Sequence, residues 1–130
     1  MSAWLPVVLY AAAIATMSSI PADRLPSSET LWSFDKVIHA AEYFILGALV
    51  ARAFHVGPPR LRAVYAFGLA LAAAAVFGVA DELYQTTTPG RSGNRYDAYA
   101  DAAGAMLGAL AVTFLHMRKA DDGNRSELRK

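Results

Sequence analysis

Four hydrophobic stretches in this chain of 130 residues are each close in length to the thickness of a lipid bilayer. They cover residues 3–20, 37–54, 63–80 and 98–117. A helix rises about 1.5 Å per residue, so roughly 20 residues cross the ~30 Å hydrocarbon layer. The third stretch carries no charge on any face, which lipid requires and water does not. The sequence therefore predicts an all-α integral membrane bundle of four transmembrane helices.

The composition agrees with a membrane protein and excludes several other classes. Hydrophobic residues make up 55% of the chain and the mean hydropathy is +0.29, which is high for a soluble domain. A water-soluble, alanine-rich helical bundle is the less favoured alternative. The absence of cysteine excludes a disulfide framework and thiol chemistry, and a net charge of +1 does not indicate nucleic-acid binding.

The length indicates a single domain. We expect residues 1–117 to form the membrane domain and residues 118–130 to form a charged, disordered cytoplasmic tail, because the tail is short and polar. No Lys or Arg precedes the first stretch, whereas signal peptides usually have one there. We therefore expect this stretch to be a retained helix.

The basic residues indicate how the helices are oriented, because Lys and Arg in short loops stay in the cytoplasm. Four crossings place eight of them on one side: Arg52, Arg60, Arg62, Arg118, Lys119, Arg125, Arg129 and Lys130. The other side then carries four: Arg24, Lys36, Arg91 and Arg95. Both termini are therefore expected in the cytoplasm, and the loops 21–35 and 86–96 are expected on the outer side.

Polar side chains gather where the hydrophobic stretches meet the expected outer face. Within each stretch their spacing is mostly three or four residues, which places them on one face of a helix. Because consecutive helices are antiparallel neighbours, we expect these faces to converge in one polar cluster. Asp35 and Tyr43 are expected at the same face. We define the polar cluster by eight residues: Lys36, His39, Glu42, Asp81, Glu82, Gln85, Asp97 and Asp101.

Local electrostatics requires the charged members of the cluster to find partners on other helices. Positive charge is disfavoured at a helix N-terminus, where Lys36 and His39 lie, and negative charge is disfavoured at a helix C-terminus, where Asp81 and Glu82 lie. We expect basic and acidic side chains from different helices to neutralise one another's charge. The expected pairs join one of the bases Lys36, Arg91 and Arg95 to one of the acids Glu42, Asp81 and Glu82.

Several of these residues also have a purely structural interpretation. Asp35 and Asp97 are suited to capping helix N-termini, and Lys36 is suited to extending its amine to the membrane surface. His39 is compatible with a hydrogen-bonded interior histidine, and we expect no site role for His116. The prediction of a functional site therefore rests on the convergence of the whole set.

Small residues predict how the fourth helix packs. Gly104 and Gly108 are four residues apart, and Ala100 and Ala111 are expected to continue the same stripe. Such faces allow helices to approach closely in lipid. We interpret the glycines as packing positions rather than a cofactor site, and we expect the neighbouring Asp97 and Asp101 to point into the bundle.

Four motifs follow one another along the chain. They are Asp35-Lys36-Val37-Ile38-His39-Ala40-Ala41-Glu42-Tyr43-Phe44, Asp81-Glu82-Leu83-Tyr84-Gln85, Pro89-Gly90-Arg91-Ser92, and Asp97 with Asp101-Ala102-Ala103-Gly104. Together with Ser18-Ser19-Ile20-Pro21, they resemble the VanZ-like family over about residues 17–110. The family often has Asn where this chain has Asp101. The resemblance implies a multi-pass protein of the bacterial cytoplasmic (inner) membrane, whose namesake is associated with low-level resistance to teicoplanin, a lipid-tailed glycopeptide.

The polar cluster and the resemblance leave three functional hypotheses open. The first is a protein that binds or shields a lipid-linked or cell-wall-precursor ligand at the extracytoplasmic face, since Arg matches phosphate geometry well. The second is a membrane-embedded hydrolase or transferase acting on a lipid-linked substrate, with a neutral His39 as general base. The third is a structural membrane subunit or scaffold.

The candidate residues divide by expected role. The candidate catalytic residues are His39, Glu42, Asp81 and Glu82, and the candidate ligand-binding residues are Lys36, Gln85, Arg91, Arg95, Asp97 and Asp101. The first set offers ligand types suited to a divalent metal. A lone His-x-x-Glu spacing is a weak signal, however, so we predict no metal site and no cofactor. The expected partners are the lipid bilayer and a lipid-linked cell-wall precursor, not nucleic acid, and the oligomeric state is open.

Overall fold

Helices form most of the described chain. The computed structural model describes residues 2–25, 34–57, 61–91 and 95–127, with the backbone alone for Asp35 and Ser126. The α-helices are α1 (Leu5–Ser18), α2 (Asp35–Val56), α3 (Ala63–Gln85) and α4 (Arg95–Glu127), and Ala22–Arg24 forms a short 3-10 helix. These described ranges contain no strand, so the predicted all-α fold is confirmed.

Three of these helices, α2, α3 and α4, are long and apolar enough to cross a membrane. The helix α1 is also apolar, but its 14 residues rise only about 21 Å, less than the ~30 Å hydrocarbon layer. Pro6 lies in its first turn, and Pro21 follows soon after its last residue. The first hydrophobic stretch, 3–20, is therefore longer than the helix that it contains.

Large apolar side chains of α3 face outward. Val64 is 68% exposed and Val76 is 71% exposed, whereas Ala66, Ala70 and Ala74 on the inner face are at most 1% exposed. A water-soluble bundle would bury its largest apolar side chains, while a bundle in lipid packs small residues inside. The surface is therefore that of a membrane protein, and it does not fit the soluble alternative.

The helices alternate in direction, so α1 and α3 end where α2 and α4 begin. We call this the polar end of the bundle. Ser18 of α1 bonds to Asp81 of α3 there, and the Ala22 N–H donates to the Pro89 carbonyl over 3.2 Å, which joins two connections. At the opposite end, the ring of Trp4 in the turn before α1 packs edge-on against the Phe54 ring of α2, with centroids 4.8 Å apart.

The most extensive helix contact is between α2 and α4, which run parallel. A Cβ atom at Gly104 would overlap the carbonyl oxygen of Ala40, and one at Gly108 would overlap that of Phe44. The two backbones thus touch directly, which confirms the predicted packing role of these glycines. Ala111 is exposed, so the stripe does not continue to that position as expected.

The charged tail continues α4 as far as Glu127, which differs from the disorder expected for residues 118–130. Most residues after Met117 favour helix. A helix already formed adds one hydrogen bond for each further residue, so it extends more easily than it starts. The described side chains of the tail are exposed, and residues 128–130 lie outside the described ranges.

The close contact between α2 and α4 predicts that Gly104→Ala lowers the free energy of unfolding by about 1–3 kcal/mol, because the new methyl group meets backbone rather than a movable side chain. Gly68→Ala is the matched control, since no heavy atom lies within 4 Å of its Cβ position. We expect the control to be unchanged or up to about 1 kcal/mol more stable. Unfolding in detergent, followed by circular dichroism, measures both, and equal stability of Gly104→Ala and wild type would contradict the contact.

Candidate functional site

The polar cluster lies inside the bundle at its polar end. Its members come from α2, α3 and α4, as their spacing predicted. An unpaired polar group in this apolar surrounding would be unfavourable, so these side chains must satisfy one another. Six of the eight are buried, with exposures from 2% to 8%: His39, Asp81, Glu82, Gln85, Asp97 and Asp101.

Two pairs join α2 to α4. The His39 Nδ1–H donates to Asp101 Oδ1 over 3.0 Å, and the Lys36 ammonium group forms an ion pair with Asp97 Oδ1. The Lys36 side chain is 47% exposed, so Lys36 lies at the edge of the cluster and solvent weakens its ion pair with the buried Asp97. Convergence was predicted from the sequence, but Lys36 was expected to pair with an acid of α2 or α3, and this ion pair uses an acid of α4.

A second network ties α1 to α3. The Ser18 hydroxyl donates to Asp81 Oδ2 over 2.8 Å. The Gln85 amide nitrogen donates to Asp81 Oδ2 and to Ser18 Oγ, each over 3.2 Å. The Thr88 hydroxyl donates to the Ser18 carbonyl, also over 3.2 Å. The Asp81 carboxylate therefore receives hydrogen bonds from two neutral donors.

Three predicted site residues lie at the edge of the cluster or beyond it. Glu42 is half-buried on the same face of α2 as His39, one turn further along. Arg91 is half-buried in the connection from α3 to α4. Arg95 is exposed, and its guanidinium carbon lies 5.6 Å from the centroid of the Tyr96 ring. The structure therefore does not bring Arg95 into the cluster.

His39, Glu82 and Asp101 each offer an atom suited to metal binding, and these three atoms lie within 4.8 Å of one another. The residues belong to three different helices, so no local spacing in the sequence indicates the arrangement. Asp101 Oδ2 and the Tyr43 hydroxyl are buried with no hydrogen-bond partner among the described residues. One imidazole and two carboxylates are a ligand set that divalent metals accept.

A family match establishes the relationship of this chain to known proteins. The sequence model of the VanZ/LLP1 family matches residues 3–116. The chain belongs to the VanZ/LLP1 family. The matched region contains all eight members of the polar cluster, so the resemblance seen in the sequence motifs is confirmed. Searches of curated proteins and of solved structures returned no match.

Three residues of this VanZ/LLP1 site lie outside the predicted set: Ser18, Thr88 and Gly78. A polar side chain near the end of an apolar helix is a signal that could have indicated Ser18. Gly78 provides space, because a Cβ atom there would lie 3.2 Å from Tyr43 Cε1 and 3.6 Å from Asp101 Oδ2. No sequence pattern indicates that role for Gly78, or the Thr88 hydrogen bond.

Polar side chains also meet at the opposite end of the VanZ/LLP1 bundle. His55 of α2 is 5% exposed. Its Nε2 lies 3.1 Å from the Thr113 hydroxyl oxygen of α4, and its ring stacks on the ring of His116 with centroids 4.3 Å apart. This contact is separate from the polar cluster and joins the same two helices.

The network around Asp81 predicts that Ser18→Ala lowers the free energy of unfolding of this VanZ/LLP1 protein by about 1–3 kcal/mol, because a buried carboxylate loses a donor. Thr16→Ala is the matched control, since Thr16 is exposed and its hydroxyl donates to the Ala12 carbonyl of its own helix. Denaturant titration in detergent compares the two variants. A Ser18→Ala protein as stable as Thr16→Ala would show that the Ser18 hydrogen bond does not anchor α1.

Proposed function

We propose that this VanZ/LLP1 protein binds or shields a lipid-linked or cell-wall-precursor ligand at the outer surface of the bacterial cytoplasmic membrane. The observation that carries the proposal is a groove of about 320 Å³ between α1 and α3. Its walls are mainly apolar, and Asp81 of the polar cluster forms part of them. One surface feature thus connects the lipid-facing side of the bundle with its polar interior.

The groove offers two chemical environments to one ligand. Ala15, Phe77 and Ala80 supply apolar contacts for a hydrocarbon chain. The hydroxyl groups of Ser19 and Tyr84, which lie 3.1 Å apart, line the same groove and can hydrogen-bond to a polar headgroup. An apolar pocket with a few placed polar groups is the usual form of a small-molecule site.

Charge in the neighbouring connection suits a phosphate group on that ligand. Lys36 forms an ion pair with Asp97, and Arg95 stacks over Tyr96. We therefore assign the role of phosphate-binding base to Arg91, which is half-buried in the connection that leaves α3. A guanidinium group donates two parallel hydrogen bonds to phosphate oxygens.

The proposed orientation places both termini in the cytoplasm and the polar end outside. It is supported by the distribution of Lys and Arg, which are more numerous at the opposite end of the bundle and in the tail. A lipid-linked cell-wall precursor displayed on the outer surface would then have access to the groove.

Because the chain has no cysteine, single-cysteine labelling tests this orientation without background. Thr87→Cys lies at the polar end and Ala120→Cys lies in the charged part of α4, and both positions are exposed. We expect a membrane-impermeant maleimide to label Thr87→Cys in intact cells and Ala120→Cys only after permeabilisation. The reverse pattern would overturn the orientation.

A susceptibility assay tests the function. We expect the wild-type protein to raise the teicoplanin concentration that inhibits a sensitive bacterium. We expect Asp81→Asn to abolish this protection, because the amide keeps the shape of the side chain but removes its charge. Asp121→Asn is the matched control, since Asp121 is exposed far along α4. Immunoblots must show equal membrane levels.

Filling the groove gives an independent readout of the same proposal. Ala80→Leu adds bulk to the groove wall from an exposed position without changing a member of the polar cluster. Loss of protection in this variant, with wild-type abundance, would support a ligand in the groove. Equal protection by wild type, Asp81→Asn and Ala80→Leu would favour a structural role for this side of the bundle instead.

The hydrogen bond from His39 to Asp101 favours a second candidate function, a membrane-embedded hydrolase or transferase. A carboxylate that accepts the Nδ1–H orients an imidazole for proton transfer. His39 is only 8% exposed, so a substrate would have to enter the bundle to reach its ring. Turnover of a lipid-linked precursor by the purified protein, lost in His39→Gln, would establish this activity.

A further inference from the structure

The centre of the polar cluster combines three helices around one small volume. His39 comes from α2, Glu82 from α3 and Asp101 from α4, with exposures of 8%, 8% and 2%. Their ligand atoms lie within 4.8 Å of one another. A metal ion bound at about 2.0–2.2 Å from each donor would hold such atoms roughly 3–4 Å apart, so small side-chain movements suffice to close the set.

A second, independent observation points to a ligand at this place. Asp101 Oδ1 accepts the hydrogen bond from His39, but Asp101 Oδ2 is buried with no hydrogen-bond partner among the described residues. Beside it, α3 presents Gly78, whose lack of a side chain leaves space next to that oxygen. A carboxylate oxygen in an apolar interior requires a cation or a donor.

The carboxyl groups at this place also favour a cation. Glu82 and Asp101 each bring a carboxyl group to the same imidazole. When both carboxyl groups are ionised, their mutual repulsion is strong in a low-dielectric interior, and a divalent cation between them lowers it.

We propose that His39, Glu82 and Asp101 bind one divalent transition-metal ion within the bundle. A nitrogen ligand beside two carboxylates suits zinc and its first-row neighbours, whereas magnesium and calcium prefer oxygen ligands alone. Three protein ligands leave a coordination position open. The site is independent of the proposed groove ligand, since it uses a different set of residues.

Metal binding by the purified full-length protein tests the proposal. After treatment with a chelator and dialysis against Zn²⁺ in detergent, we expect one zinc ion per chain by elemental mass spectrometry. Loss of a residue that only orients a metal ligand weakens metal binding by about 10–100-fold. Glu82→Gln and Asp101→Asn each remove a ligand itself. We therefore expect each variant to bind zinc at least ~100-fold more weakly than the wild type.

Two matched controls separate this site from ordinary metal binding by histidine or acid. His55→Gln removes the buried histidine at the opposite end of α2, and Asp121→Asn removes an exposed acid far along α4. Both controls are expected to bind zinc as the wild type does. Equal zinc content in wild type, Glu82→Gln and Asp101→Asn would overturn the proposal, and so would a wild-type protein that binds none.

Cobalt gives a readout that does not depend on the stability of a variant. Co²⁺ in a protein site of low coordination number absorbs visible light more strongly than hydrated Co²⁺. We therefore expect this absorption to appear when Co²⁺ is added to the wild-type protein. Added Zn²⁺ is expected to abolish the absorption, whereas excess Mg²⁺ is not. Asp101→Glu retains the carboxylate and is expected to retain a shifted spectrum. Displacement of Co²⁺ by Mg²⁺ would overturn the assignment, whatever the result of the teicoplanin assay.

Discussion

The direct backbone contact between α2 and α4 determines the rest of this structure. Gly104 allows the Ala40 carbonyl to approach α4 without an intervening side chain. His39 precedes Ala40, and Asp101 precedes Gly104 by one turn, so the same close approach brings this histidine and acid within hydrogen-bond distance. A methyl group at this contact would push the two helices apart. Gly104 and Gly108 therefore set the geometry of the polar cluster, although neither takes part in its chemistry.

The interior of the bundle is polar at one end because lipid cannot satisfy polar groups. Three of the buried acids receive different kinds of donor: hydroxyl and amide groups for Asp81, an ammonium group for Asp97, and an imidazole for Asp101. These interactions join α1 to α3 and α2 to α4. Stability and the chemistry of the site thus depend on the same side chains, and a substitution that tests one also affects the other.

The hydrophobic stretches predicted the four helices, although not the ends of α1 and α4. The spacing of polar residues, together with the antiparallel order of consecutive helices, predicted the convergence of the polar cluster. It could not predict which pairs form, since pairing depends on how helices cross. That is why Asp97 was not foreseen as the partner of Lys36, and why the outward position of Arg95 was missed. The anchoring role of Ser18 depends on where α1 ends, which the length of a hydrophobic stretch does not determine.

Because α1 is short, the hydrophobic surface of the bundle is lower on the side of α1 than on the sides of the longer helices. The wall formed by α1 is about 21 Å tall, while α2 and α3, with 22 and 23 residues, rise about 33 and 35 Å. Lipids adjust to a short hydrophobic wall by local thinning of the bilayer. Where α1 lies in a bilayer, we therefore expect the headgroups beside it to lie closer to the membrane midplane. Such thinning would shorten the path from a lipid headgroup to Asp81 on the side of the bundle where the groove opens.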